Sequence, residues 1–289
     1  KDYLKKRFPK IEISECLLRE IFRTNEFSSI LQNATYIRNQ ESFYLPIIHS
    51  VDQNTKVLKG FEVHEELEGS YHQEGIENTI VLTLSNKQAN QWNLGIRKTL
   101  FYREEIIESG EKLLVIKNNY FWINATSPMG FLANGETICV ERIVKQETLF
   151  KRDFMRLEIS FPTYPDIPAQ EVIVLLETLS LESASLARDK MKELFLEIEK
   201  DYFHISNKQK RYREVLNNSY FNAIHVKYGY ASTVHKAQGG QWSHVYIDGS
   251  FIPENMKNTS YLRWLYTAIT RTKDRLFLVN FPDLFFSKE

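Results

Sequence analysis

The sequence has little cysteine and no long apolar run, and each shortage excludes a class of protein. The two cysteines, Cys16 and Cys139, lie far apart without a CxxC pair, which excludes a disulfide framework and a zinc ribbon. The longest apolar stretch, residues 172–176, is far shorter than the roughly 20 residues that a bilayer span needs. The first residues lack the pattern of a secretory signal. We therefore expect no membrane contact and a reducing, cytoplasmic setting.

An excess of charge of one sign is also missing. The 289 residues include 37 basic and 37 acidic side chains, which excludes a globally basic nucleic-acid binder but not a local basic groove. Hydrophobic residues make up 43% of the chain and aromatic residues 13%, as in a folded protein with a core. The length allows one or two domains.

Hydrophobic periodicity predicts α/β structure at both ends of the chain. Over residues 13–38, apolar side chains recur at three- and four-residue steps, which is typical of amphipathic helices. A β-branched run at residues 79–84 is followed by Ser85, an N-cap residue type, and then by a helical segment. The later pattern predicts a helix at residues 261–270 and strands at residues 224–228, 245–247 and 276–279.

The middle of the chain has a different character. Short alternating runs separated by turn residues predict a small β-rich module over residues 112–176. Helical spacing returns over residues 184–202. We expect one α/β domain in two parts, residues 1–103 and 223–289, which is interrupted by a β-rich and helical insertion at residues 104–222.

Two segments near the end of the chain carry candidate chemistry. Residues 231–242, ASTVHKAQGGQW, offer Ser232 and Thr233 as caps of a helix about one turn long. A loop of this kind at the carboxyl edge of an α/β sheet presents N–H groups and a hydroxyl to a ligand, often a phosphate. A tight connection with glycines at positive φ explains the same residues.

The second segment, residues 263–279, reads RWLYTAITRTKDRLFLV. It places Arg271 at the C-terminal end of a helix, immediately before a strand. An arginine there can simply interact with the helix dipole.

Together, the two segments resemble the fifth and sixth conserved motifs of superfamily 1 helicases of the UvrD/RecD class, and most of all the RecD-like branch that includes the phage Dda helicase. Residues 17–34, LLREIFRTNEFSSILQNA, resemble the fourth motif, and residues 134–143, NGETICVERI, resemble the SH3-like barrel of RecD-like proteins. The resemblance implies a RecA-like second motor domain: a parallel sheet with flanking helices, interrupted by a small SH3-like β-barrel and a helical insertion.

Two motifs of a complete motor are missing. None of the eleven glycines is followed by lysine, so there is no P-loop, and no Asp-Glu dipeptide occurs. In the family these motifs hold the phosphates of ATP and Mg²⁺. The chain also starts at Lys1, without methionine. We expect an upstream RecA-like domain to supply both motifs and the Mg²⁺ ligands, and we expect no ATP hydrolysis by this piece alone.

The resemblance implies a role for several residues at the nucleotide. Arg271 and Arg23 would reach across to the γ-phosphate of ATP as arginine fingers. A guanidinium suits this task because it stays charged and directs two donors onto phosphoryl oxygens. Gly239 and Gln241 would flank the nucleotide.

A second group of residues is expected at single-stranded DNA. The resemblance places Thr233, His235 and Lys236 towards the strand, and Thr83 and Asn86 could hold a phosphate at the other strand-to-helix junction. Such contacts carry no sequence information, as a motor requires.

Three aromatic residues in the barrel segment, Tyr120, Phe121 and Trp122, could stack bases. Their pattern does not indicate which way they point, and core packing is the expectation.

The function that we expect is an ATP-dependent DNA helicase with 5′ to 3′ movement, the direction being implied only by the branch resemblance. Its partners would be single-stranded DNA and the N-terminal RecA-like domain of the same protein. The sequence does not indicate whether nuclease or repair-complex subunits also bind. A non-catalytic, helicase-like DNA-binding or scaffold module is the alternative. No metal site is expected, because Glu68 breaks a zincin-like pattern that starts at His64. An accessory nuclease is not expected, because the sequence lacks the clustered carboxylates that would hold two metal ions.

Overall fold

A computed structural model describes residues 2–14, 28–40, 48, 52–252 and 258–286. In chain order, its α-helices are α1 (Asp2–Arg7), α2 (Ser29–Arg38), α3 (Glu62–Glu74), α4 (Asn86–Thr99), α5 (Arg188–Glu199), α6 (Lys208–Leu216) and α7 (Thr259–Ile269). Its strands are β1 (Thr55–Leu58), β2 (Thr79–Thr83), β3 (Lys112–Val115), β4 (Thr137–Leu149), β5 (Arg152–Ser160), β6 (Gln170–Leu175), β7 (Ile224–Tyr228), β8 (Ala231–Thr233), β9 (Trp242–Asp248) and β10 (Thr272–Val279).

A five-stranded parallel sheet in the order β1-β10-β9-β2-β8 forms one unit of the fold. Helices α2 and α7 pack on one face, where Ile30 and Leu265 share a core cluster with Val245 of β9. Helices α3 and α4 lie on the other face, where Leu67 and Ile96 belong to a second cluster. Strands covered on both faces read as continuous apolar runs, which is why residues 79–84 were recognisable from the sequence.

The second unit is a closed barrel in the order β3-β4-β5-β6-β7. Its pairs are antiparallel except for β6 with β7, which is parallel. Helices α5 and α6 contribute Leu194, Ile198 and Val215 to a cluster with barrel residues that include Phe154. The expected fold class, a parallel α/β sheet combined with a small β-barrel and a helical piece, is confirmed.

Strand β7 lies in the barrel, whereas its alternating pattern led us to expect it in the resumed α/β part. It pairs with β3 and β6, and the chain enters the parallel sheet only at β8. Alternation identifies a strand but not its sheet. The division of the chain at residues 103 and 222 stays a prediction. Strand β1 and helix α3 had no clear sequence signal.

A buried polar network joins the two units. The Arg97 side chain on α4 donates three hydrogen bonds of 3.0–3.1 Å to the carboxylate of Glu111, which immediately precedes β3. Arg103 lies 3.0 Å from the same carboxylate, and the Tyr230 hydroxyl donates to it at 2.8 Å. The Arg97 guanidinium also lies over the ring of Tyr228, 4.4 Å from its centroid. Because the Glu111 side chain is fully buried, its charge depends on these partners.

Candidate functional site

The carboxyl ends of β2 and β8 bring two of the expected DNA-binding residues together. Thr83 and Thr233 are register partners in this parallel pair, although 150 positions separate them in the sequence. The Thr83 hydroxyl donates to the carbonyl of Ser85 at 3.0 Å, and the Val234 N–H donates to the carbonyl of Thr83 at 3.2 Å. Both threonine side chains are buried, so in this structure they shape the edge of the sheet.

The expectation that Ser232 and Thr233 cap a short helix is wrong. Both residues belong to β8, and the following residues form turns. The Thr233 carbonyl accepts hydrogen bonds from the N–H groups of Lys236 at 3.0 Å and Ala237 at 3.1 Å, but these turns are not part of a helix. The strand extends this far because its residues pair with β2, a tertiary interaction that local sequence does not encode.

Helix α4 starts at the same edge, as the sequence predicted. Ser85 is its N-cap and forms a capping box with Gln88: the Gln88 N–H donates to the Ser85 hydroxyl at 3.2 Å, and the Ser85 N–H donates to the Gln88 side chain at 3.1 Å. Asn86 is the first helical residue and is half-buried. The positive end of the helix dipole therefore lies beside the ends of β2 and β8, which favours an anion.

The loop after β8 contains an exposed histidine and an enclosed lysine. His235 is exposed. The Lys236 ammonium is buried and makes no hydrogen bond to the described part of the chain, and burial lowers the pKa of Lys236. Burial, with the nearby charge of Lys236, also lowers the pKa of Lys227 to about 8. An anion beside these two lysines would offset both the cost of burying their charges and the repulsion between them. The pair therefore favours an anionic ligand.

Lys227 was not recognised from the sequence. It belongs to the barrel strand β7 and donates a hydrogen bond to the carbonyl of Leu181. A polar residue between the apolar residues Val226 and Tyr228 is the pattern of an ordinary exposed strand face. Only the tertiary structure brings this residue close to the loop after β8.

A cavity of about 500 Å³ lies between this loop and the barrel. Lys236, Gly239 and Gln241 line it from the loop side, and the turn around Asn134 and Gly135 lines it from the barrel side. A Cβ atom on Gly135 would lie 3.8 Å from the carbonyl oxygen of Lys236. The barrel and the loop are therefore in close contact.

Three of the four residues expected at the nucleotide, Arg271, Gly239 and Gln241, lie around the opposite edge of the sheet. Arg271 follows α7 and precedes β10, and its carbonyl accepts a hydrogen bond of 3.0 Å from the N–H of Trp242 at the start of β9. Its guanidinium donates to the carbonyl of Thr267 at 3.1 Å and to the carbonyl of Gly240 at 3.3 Å. Arg271 therefore connects the end of α7 to residues 239–241, which we call the glycine loop.

Two residues of the glycine loop occupy positions that favour glycine over any residue with a side chain. Gly239 has φ +93°, which an L side chain rarely adopts. A Cβ atom on Gly240 would lie 2.3 Å from the ring of Trp242. Gln241 is half-buried beside the cavity. Arg23, the other expected finger, lies outside the described residues.

The described residues contain neither a cluster of metal-ligating side chains nor a membrane-spanning helix. In residues 2–14, 28–40, 48, 52–252 and 258–286, no group of three or more His, Cys, Asp or Glu side chains is placed to hold a metal ion. Within the same residues, no helix combines the length and the apolar character needed to cross a membrane.

Comparison with known proteins identifies the class of the C-terminal segment. Residues 228–279 match the UvrD-like helicase C-terminal domain. The matched segment contains Thr233, His235, Lys236 and Arg271, together with the glycine loop. Over these residues the chain is therefore similar to a helicase C-terminal domain. No curated protein matches the chain.

Solved structures of Pif1 helicases are also similar. The Pif1 helicase of Candida albicans is 14% identical, with a TM-score of 0.45, and the match covers 93% of this chain and 57% of that one. A structure that concerns DNA unwinding at forked dsDNA by two coordinating Pif1 helicases is 11% identical, with a TM-score of 0.42 and coverages of 93% and 51%. This chain thus spans a little over half the length of the structures it matches.

Proposed function

We propose that this chain is the second motor domain of an ATP-dependent DNA helicase of the RecD-like branch, moving 5′ to 3′ on single-stranded DNA. In this proposal, the carboxyl edge of the sheet holds the strand and the amino edge faces ATP bound to a preceding RecA-like domain. The helicase C-terminal match supports the class. The branch and the direction rest on the likeness of the two motifs and the barrel segment.

The observation that carries the proposal is the buried ammonium of Lys236, which has no hydrogen-bond partner among the described residues. It lies in the loop that follows the paired ends of β2 and β8. The helix N-terminus of α4 is at the same edge, so two independent sources of positive potential meet there. Phosphates of a strand would accept hydrogen bonds from these groups without reading the bases. Thr83 and Thr233 position the two strand ends, while Asn86 and His235 are accessible for direct contact.

The glycine loop connects the two edges of the sheet. It starts near Lys236, and its Gly240 carbonyl accepts a hydrogen bond from Arg271 at the other edge. Bound ATP would supply the phosphoryl group whose charge a guanidinium can stabilise. Arg271 would have to exchange its bonds to the Gly240 and Thr267 carbonyls for contacts with phosphate. In the proposed mechanism, this exchange links the contact between Arg271 and the nucleotide to the glycine loop. The loop in turn leads to the carboxyl edge of the sheet, where the DNA strand would bind.

The test compares two variants of the full-length protein. Arg271→Ala should lower DNA-stimulated ATP hydrolysis by about 10³-fold or more while single-strand affinity stays near that of the parent protein. Lys236→Met should weaken single-strand binding, measured by fluorescence anisotropy, and raise the DNA concentration needed for stimulation. Lys210→Met, which removes a lysine from α6, is the control. Unchanged hydrolysis in Arg271→Ala would contradict the finger role.

One observation favours the scaffold alternative. The Arg271 guanidinium is already hydrogen-bonded to the end of α7 and to the glycine loop, as a purely structural arginine would be. For a scaffold, Arg271→Ala would lower the stability of the protein, and the full-length parent protein would show no DNA-stimulated ATP hydrolysis. Melting temperature and ATPase rate, measured on the same preparations, distinguish the two functions.

A further inference from the structure

The connection between β3 and β4 carries an aromatic stack with one open end. The rings of Tyr120 and Phe131 are stacked with centroids 4.7 Å apart and an interplanar angle of 28°. Phe131 is half-buried, whereas 70% of Tyr120 is exposed. Phe121 is also exposed, and only Trp122 is partly buried in the way expected from core packing. The expectation that these residues are core is therefore wrong for Tyr120 and Phe121.

A small cavity of about 250 Å³ lies beside this stack. Tyr120, Phe121, Lys117 and His225 are among its lining residues, and no carboxylate lines it in the described part of the chain. His225 is 3% exposed, and its Nδ1 atom is buried and has no hydrogen-bond partner in the part of the chain that the structure describes. A buried polar atom without a partner is costly, so its presence in a cavity wall indicates a ligand that supplies the missing bond.

The charge state of His225 restricts the chemistry of that ligand. Burial, assisted by the charge of Lys117, lowers the pKa of His225 to about 4, so the ring is neutral at physiological pH. A neutral imidazole has one donor and one acceptor nitrogen, which suits a polar ring edge better than an anion. The cavity thus offers a flat aromatic face and a neutral hydrogen-bonding group, with the Lys117 cation at its rim.

We propose that the barrel surface formed by Tyr120, Lys117 and His225 binds a nucleobase of single-stranded DNA. The base extends the Tyr120–Phe131 stack, its polar edge meets the Nδ1 atom of His225, and Lys117 contacts the adjoining phosphate. Stacking on aromatic side chains accepts any base, which fits a protein that tracks along a strand. This inference rests on the proposed function and adds a base contact on the barrel to the phosphate contacts at the sheet.

Continuity with the sheet edge supports DNA as the occupant. The segment with the stack returns to the turn at Asn134 and Gly135, where the Asn134 N–H donates to the side chain of Asn118 at 2.8 Å. The same turn lies against the carbonyl of Lys236. The cavity, through Asn118, and the loop that contains Lys236 therefore both adjoin this turn, as neighbouring contacts of one strand would.

The experiment measures the affinity of the full-length protein for two oligomers of equal length, oligo(dT) and a fully abasic backbone. Tyr120→Ala should weaken oligo(dT) binding about 5- to 100-fold, the range for one stacked base, and leave abasic binding unchanged. Tyr120→Trp should retain oligo(dT) affinity. The control is Tyr102→Ala, which removes another exposed tyrosine that does not line the cavity. His225→Leu should weaken oligo(dT) binding selectively, and His225→Gln should restore much of it.

Photocross-linking tests direct contact. An oligomer with 5-iodouracil, whose base couples to stacked aromatic rings under near-ultraviolet light, should label the peptide with Tyr120 or Phe121. Labelling only elsewhere would overturn the proposal.

The oligomers also separate failure of this inference from failure of the proposed function. If Lys236→Met weakens binding of both oligomers and Tyr120→Ala weakens neither, the base site is wrong and the proposed function stands. If the parent protein binds neither oligomer, both are wrong.

Discussion

Arg97 on α4 and Glu111 beside the first barrel strand form an ion pair with Nη2 and Oε2 3.0 Å apart, and both side chains are almost fully buried. The pair links helix α4, which packs on the parallel sheet, to the first strand of the barrel. Since an unpaired charge in this position would be costly, the pair makes the relative placement of the two units depend on polar geometry as well as on apolar packing.

We expect Arg97→Met to lower the free energy of unfolding by about 3 kcal/mol, because it leaves the Glu111 carboxylate buried with fewer partners. Urea denaturation followed by circular dichroism measures the change. Arg142→Met is the matched control: its bond to Glu158 on the barrel surface is exposed, so it should cost less than about 1 kcal/mol. Equal effects of the two substitutions would contradict the role assigned to Arg97.

Gly229 and Gly95 should respond in opposite ways to substitution by alanine. A Cβ atom on Gly229 would lie 2.8 Å from the Lys112 side chain and 3.2 Å from its carbonyl oxygen, so Gly229→Ala should destabilise the protein by about 1–3 kcal/mol. Gly95 lies within α4 with no atom close to its Cβ position. Gly95→Ala should therefore stabilise the protein by about 0.5–1 kcal/mol. Differential scanning calorimetry of the two variants provides the comparison.

The stability of the protein should decrease in mild acid through His225. Its pKa is about 4 in the folded chain and about 6.5 in an unfolded one. Between these values the unfolded chain binds more protons, so stability is lost as pH falls from about 6.5 towards 4, by at most about 3 kcal/mol. His225→Gln should show a smaller loss over the same range in urea denaturation. An identical loss in both proteins would exclude His225 as its source.

Single-strand affinity should decrease as pH rises from about 7 to about 9, since Lys227 has a pKa of about 8 and the pKa of Lys236 is also lowered. Both lysines are more cationic at the lower pH, where attraction to phosphate is strongest, and bound phosphate would raise both pKa values. Anisotropy titrations across this range measure the effect. The double variant Lys227→Met/Lys236→Met should bind weakly at about pH 7, and its affinity should depend less on pH. A parent profile without slope would contradict this assignment.

The sequence predicted those features that local residues determine. Ser85 was recognisable as an N-cap because a hydroxyl before a helical segment satisfies free N–H groups. The sheet membership of β7 was not recognisable, because alternating residues look the same in a barrel and in an open sheet. The sequence therefore did not indicate a shared role for His225 and Lys227 on β7. Tertiary packing buries both side chains.

Two site predictions illustrate the same limit. Thr83 and Thr233 were each placed at a strand-to-helix junction, but their pairing depends on a strand register that spans most of the chain. The exposure of Tyr120 was not predictable either, because its connection between β3 and β4 has neither helical nor strand periodicity. Arg271 was found through its motif, whereas its bond to the Gly240 carbonyl required the folded glycine loop.

Only Gly229 and Tyr230 separate the last barrel strand, β7, from the sheet strand that ends at Thr233. Gly229 is tied to β3 through a 2.8 Å bond from its N–H to the Lys112 carbonyl, and the Tyr230 hydroxyl is tied to Glu111. Because both residues of this short link are hydrogen-bonded, the link has little freedom to extend or rotate. A pull exerted on the barrel is therefore transmitted to the tip of β8, at the edge of the sheet where we propose that DNA binds.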